Sequence, residues 1–112
     1  MSLKKTIYDT LKPFGLPLAY ADTDLNVLPR LNFFLVSHFS IRSSNQSHQQ
    51  KLTYQVEYYS DRPLDVENND TLWNIIDALE SNNLITTDWV ETSAIDVEED
   101  IGVYRYWIEV KR

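Results

Sequence analysis

A chain of 112 residues with seventeen acidic and ten basic side chains carries a formal net charge of −7 and contains no cysteine. That sign repels phosphate backbones, and the lysines and arginines form no run or stripe, so sequence-specific or general nucleic-acid binding is disfavoured. Without cysteine there is no disulfide framework, no thiolate metal site and no cysteine nucleophile.

The length suits one domain over residues 1–112, and hydrophobic residues at 43% with charged residues at 24% are ordinary globular shares. Seven Tyr, four Phe and three Trp make the chain rich in aromatics. Such side chains are favoured in cores and in protein interfaces alike. The stretch Met1 to Lys12 lacks the apolar core of a signal peptide, and no apolar segment approaches the ~18 residues of a membrane span.

Leu3, Ile7 and Leu11 fall four apart, with Tyr8 beside them, which predicts a helix from Ser2 to Lys12. Pro13 and Gly15 stop it. Leu16, Leu18 and Tyr20 alternate with Pro17 and Ala19 as a short strand, placed at a sheet edge by Pro17. Asp22 to Pro29 is a connecting loop. A long strand follows: Leu31, Phe33, Leu35, Phe39 and Ile41 share one face, interrupted by Ser37, and Asn32, Phe34, Val36, His38, Ser40 and Arg42 share the other. Ser43, Ser44, Asn45, Gln46, Ser47, His48, Gln49 and Gln50 are all polar and predict an exposed hairpin loop.

Leu52, Tyr54, Val56 and Tyr58 alternate with Thr53, Gln55, Glu57 and Tyr59 in a second strand. After a polar loop, Leu72, Ile75, Ile76 and Leu79 have the spacing of an amphipathic helix, with Asp70 as its N-cap and Asn82-Asn83 as its exit. Ile85 to Thr92 and Gly102 to Lys111 are two further strands, joined through an acidic turn. The order α-β-β-β-α-β-β predicts an α+β fold: an antiparallel sheet with both helices on one face.

The residues offer little chemistry. Two glycines, Gly15 and Gly102, are too few for a phosphate loop or a dinucleotide fingerprint. His38 and His48 belong to no ligand pattern, and the calcium-loop likeness of Asp22, Asp24 and Asn26 fails at Val27 and Phe33. Glu57 with Asp61, Asp65 with Glu67, and the cluster from Asp96 to Asp100 sit in predicted loops or at strand ends, where solvation keeps carboxylates ordinary. No catalytic residue, metal ligand or cofactor site is expected, and the chain is read as non-enzymatic.

The second face of the sheet is the anomaly. With Tyr54, Tyr58, Tyr104, Tyr106 and Ile108 turned to the helices, Phe34, Val36, Tyr59, Val103 and Trp107 fall on the other side, and Trp73 lies off the centre of its helix's apolar stripe. Exposed contiguous aromatics mark an interface, so Phe34, Val36, Tyr59, Trp73 and Trp107 are candidate contact residues, with Arg105 and Glu109 as their polar surround.

The segments "LTYQVEYYSD", "DTLWNIIDALESNN" and "GVYRYWIEVKR", after a leading helix and a strand meander, give an arrangement that resembles the tail-completion, or tail-terminator, proteins of long-tailed bacteriophages and prophages. The resemblance implies a virion structural protein that forms a ring, commonly hexameric, on the tail tube. The ring stops tube growth and receives the head connector, and the protein is present in the host cytoplasm during assembly and then in the virion. It implies no cofactor and no catalytic residues, and it casts the loop from Ser43 to Gln50 as a tube contact. A different head–tail joining or minor capsid role, and a small bacterial protein-binding or regulatory module, are the alternatives.

Overall fold

In a computed structural model of the chain, residues 2–21, 27–42, 48–96 and 101–112 are described. Ser2 caps the first helix, α1 (Leu3–Leu11), by accepting from the Lys5 N–H with its hydroxyl at 3.1 Å. A 3-10 turn (Lys12–Phe14) ends at Gly15, whose φ of 73° is the left-handed conformation that a glycine adopts without Cβ strain. The second helix, α2 (Asp70–Ser81), starts one residue earlier than the sequence predicts. Its cap is Asn69, not Asp70, and the Asn69 Oδ1 accepts from the Leu72 N–H at 3.0 Å. It exits through Asn82 and the left-handed Asn83, as expected.

Six strands form one sheet: β1 (Leu18–Tyr20), β2 (Arg30–Arg42), β3 (His48–Ser60), β4 (Ile85–Thr86), β5 (Val90–Asp96) and β6 (Ile101–Lys111). Their spatial order is β1-β2-β3-β6-β4, and β5 also pairs with β6. The single strand expected from Ile85 to Thr92 is thus broken into β4 and β5, which both lie against β6. All pairings are antiparallel except that of β1 with β2, which is parallel. Pro17 just precedes this edge strand, and its carbonyl accepts from the Leu31 N–H at 2.8 Å.

Both helices lie on one face, as the α+β expectation required. Leu3, Ile7 and Leu11 of α1 and Leu72, Ile75, Ile76 and Leu79 of α2 form one core with Leu31, Phe33, Tyr54, Val56, Tyr58, Tyr106, Ile108 and Val110 of the sheet. Burying such side chains contributes roughly 1.5–3 kcal/mol each. Tyr106 is fully buried, and its hydroxyl accepts from the Leu64 N–H at 2.7 Å, tying the segment before α2 to the sheet. Trp89, between β4 and β5, donates its indole N–H to the Leu72 carbonyl at 3.0 Å and ties that junction to α2.

Two expectations are corrected here. Leu35 pairs with Tyr54 but Ser37 pairs with Thr53, so Val36 is the extra residue of a β-bulge. The one-residue slip exchanges the faces of everything beyond it: His38, opposite Leu52, comes to the helix side of the sheet, and Phe39, opposite Lys51, leaves it. The second correction concerns the hairpin. His48, Gln49 and Gln50 are strand residues of β3, paired with Arg42, Ile41 and Ser40, rather than loop. Ser43, Ser44, Asn45, Gln46 and Ser47 lie outside the described residues.

Candidate protein-contact face

Only the inner part of the long β2–β3 hairpin belongs to the main sheet. β6 runs beside β3 from Thr53 to Ser60, and β1 runs beside β2 from Leu31 to Phe33. Beyond these limits, among the described residues, the two strands pair only with each other. The hairpin therefore continues past the sheet as a two-stranded ribbon, in a molecule 57 Å long and 29 × 21 Å across. Exposed apolar side chains collect where the ribbon leaves the sheet: Leu35, Val36 and Phe39, the last 61% exposed. Among the described residues no third strand lies beside this outer part, and a two-stranded ribbon by itself is only marginally stable in water.

The face opposite the helices is built around a buried charge. On the three central strands, Asn32 of β2 lies opposite Glu57 of β3, and Trp107 of β6 lies on the other side of Glu57. The Glu57 carboxylate is 2% exposed as a residue and has four partners. Asn32 Nδ2 donates to Oε1 at 3.1 Å, Tyr59 Oη donates to Oε1 at 3.0 Å, and Gln55 Nε2 donates to Oε2 at 3.2 Å. Arg105 Nη1 lies 3.1 Å from Oε2. Gln55, Glu57 and Tyr59 can converge in this way because alternate residues of one strand share a face.

This seam differs from the solvated carboxylate that the sequence suggests for Glu57. It also changes the candidate contact residues. Tyr59 is 7% exposed and spends its hydroxyl on Glu57, so it adds no open aromatic surface. Burial, then the neighbouring Glu57 carboxylate, pushes its hydroxyl pKa up. Arg105 is the ion-pair partner of the seam, and Glu109 is half-buried on the next turn of the pleat. Phe34 and Trp107 are half-buried, and Val103 is buried. The Trp107 indole N–H is buried and, among the described residues, meets no acceptor. Val36 and Trp73 are exposed, and the Trp73 indole N–H donates to the Glu67 carbonyl at 3.0 Å, which fixes the ring on the surface of α2. The structure therefore does not gather the seven candidates into one patch: Trp73 belongs to α2, on the helix layer.

An open groove of about 490 Å³ runs along this face, with exposed Tyr20 and Leu35 at its rim and Asn32, Glu57 and Arg105 among its lining residues. Every oxygen of the one carboxylate in it is engaged by donors. Such an arrangement holds a charge in place and offers no free acid or base to a substrate. Among the described residues, no group of three or more His, Asp or Glu side chains is gathered as a metal site, and no helix is long and apolar enough to cross a membrane.

Fold and face together define an α+β protein with a layered helical side, an open sheet side sealed by an ionic seam, and a projecting ribbon. No family model matches the sequence, and no curated protein matches it. Among solved structures, a chain described as "Virion of native gene transfer agent (GTA) particle" aligns over 98% of this chain and 93% of that chain, with a TM-score of 0.45 and 9% identity. At that level of similarity it carries no argument about function.

Proposed function

We propose that the chain is a non-enzymatic virion structural protein, a tail terminator that caps the tail tube by forming a ring and presents a surface to the head–tail connector. The observation that carries the contact role is the ribbon: strands extended beyond their sheet, with Leu35, Val36 and Phe39 exposed, form a surface suited to another protein. The engaged state of Glu57 supports a structural rather than a catalytic use of the buried charge. The assignment to a tail rests on the resemblance of the segment order to tail-completion proteins.

The test is tube growth. Tail-tube protein encoded in the same genome is polymerised with and without the chain, and tube length is read by electron microscopy. Arrested tubes with a density at one end are the expected result. Tubes of unchanged length, with bare ends, would remove the tail-terminator role and leave a small protein-binding module as the reading to pursue.

A further inference from the structure

We propose that copies of this chain join edge to edge, with the free edge of β2 beyond its bulge, Ser37–Arg42, adding to the free edge of β5, Val90–Asp96, of a second copy. The inference rests on the ring reading and deepens it by naming the contact.

Both edges are open. Among the described residues, β1 covers β2 only as far as Phe33, and β5 pairs with β6 alone. A strand edge with unsatisfied N–H and C=O groups is a template for another strand, and proteins that avoid such pairing place proline or charge along the edge. From Ser37 to Ile41 the segment contains no proline and no Asp, Glu, Lys or Arg, and its one formal charge is Arg42 at the end. The bulge at Val36 interrupts the ladder, so regular pairing is available from Ser37 onward.

Charge selects a second copy as the occupant. Residues 31–56 contain Arg42 and Lys51 and no acidic residue, so the other eight basic and all seventeen acidic residues lie elsewhere, at a net charge of −9. The ribbon is thus a weakly basic projection from an acidic body. The β5 edge is acidic, with Glu91 and Asp96 in the strand and Asp88 just before it. Complementary charge favours this pairing and opposes β5 against β5.

The faces also agree. Phe39, moved by the bulge, lies opposite Lys51 on the side away from the helices, and Val90, opposite Trp107, lies on that same side. In a continued sheet these two exposed residues, 61% and 42% accessible, share a face and cover each other. Because the two edges differ, the contact is head to tail, the kind that closes into a ring when the rotation per copy permits.

The absence of native cysteine makes the test direct. Phe39→Cys and Val90→Cys are made singly and together, with Thr92→Cys in place of Val90→Cys as a second register one pair along the same face. Each protein is concentrated with tail-tube protein and oxidised. Non-reducing electrophoresis should show a ladder of linked copies for a double variant, a linked dimer for the mixed single variants, and no linkage for Phe39→Cys alone. Phe39→Glu, at an exposed position, should fold normally and lose the assembly. Linkage of Phe39→Cys to itself, or no linkage in either register, overturns the edge pairing. If the wild type nevertheless forms a ring in the same mixture, the ring reading survives that loss. A wild type that stays monomeric and unlinked overturns both.

Discussion

Glu57 and Arg105 stand diagonally on neighbouring antiparallel strands, Glu57 opposite Trp107 and Arg105 opposite Tyr59 two residues along, with Oε2 and Nη1 3.1 Å apart on the face that no helix covers. A buried ion pair is weak evidence of stability as such, because desolvation offsets much of its attraction. Its removal by halves is costly, because one charge is then left without its partner. Arg105→Met should lower unfolding free energy by about 2 kcal/mol, below the ~3–5 kcal/mol typical of a fully buried pair because Arg105 is 34% exposed. The double variant Glu57→Gln/Arg105→Met should recover part of that loss. Urea denaturation of the four proteins of the cycle measures both effects, and strictly additive losses would contradict the coupling.

Tyr106 ties two parts of the fold through one hydroxyl, which accepts from the Leu64 N–H at 2.7 Å. Tyr106→Phe should cost about 1–2 kcal/mol at neutral pH by leaving that N–H unpaired. Burial also pushes this hydroxyl from 10.0 to about 12, and raises Tyr54 and Tyr58 in the same direction. The folded state therefore holds the neutral phenol more firmly than the unfolded chain does. The contribution is complete below pH 10.0 and is lost as pH rises towards about 12. Denaturation at a series of alkaline pH values should show stability falling across that window, and falling less steeply in Tyr106→Phe.

Asn69 caps α2 through one side-chain oxygen, at 3.0 Å from the Leu72 nitrogen. Asn69→Ala should destabilise the protein by about 1 kcal/mol, and Asn69→Asp should largely preserve stability, since aspartate caps as well and faces the positive end of the helix dipole. Asp70→Ala, the cap that sequence alone favours, should have the smaller effect. Thermal unfolding followed by circular dichroism separates the three variants.

The helices and the faces of the inner sheet were legible because they depend on local periodicity. Leu3, Ile7 and Leu11 at spacing four, and Tyr54, Val56 and Tyr58 at spacing two, can reach a common core in only one secondary structure each. The bulge at Val36 was hidden because it belongs to a pairing rather than to a strand. Within β2 its one trace is Ser37, a polar residue in an apolar series, and the slip shows only when Thr53 is set opposite Ser37. Glu57 was hidden for the same reason. Its partners Asn32 and Arg105 come from strands distant in sequence, and alternation places Gln55, Glu57 and Tyr59 on one face without revealing that this face closes over the charge. The pairing of β1 with β2 is parallel, an orientation that the alternation of Leu18, Ala19 and Tyr20 does not fix.

In the proposed function the chain assembles on another protein. Its most direct test is mass measurement in solution: sedimentation velocity of the chain alone, and then with tail-tube protein from the same genome. A ring-sized species of the chain on the tube, lost in Phe39→Glu, is the expected result. A chain that remains a monomer at every concentration, with or without the tube, would contradict it.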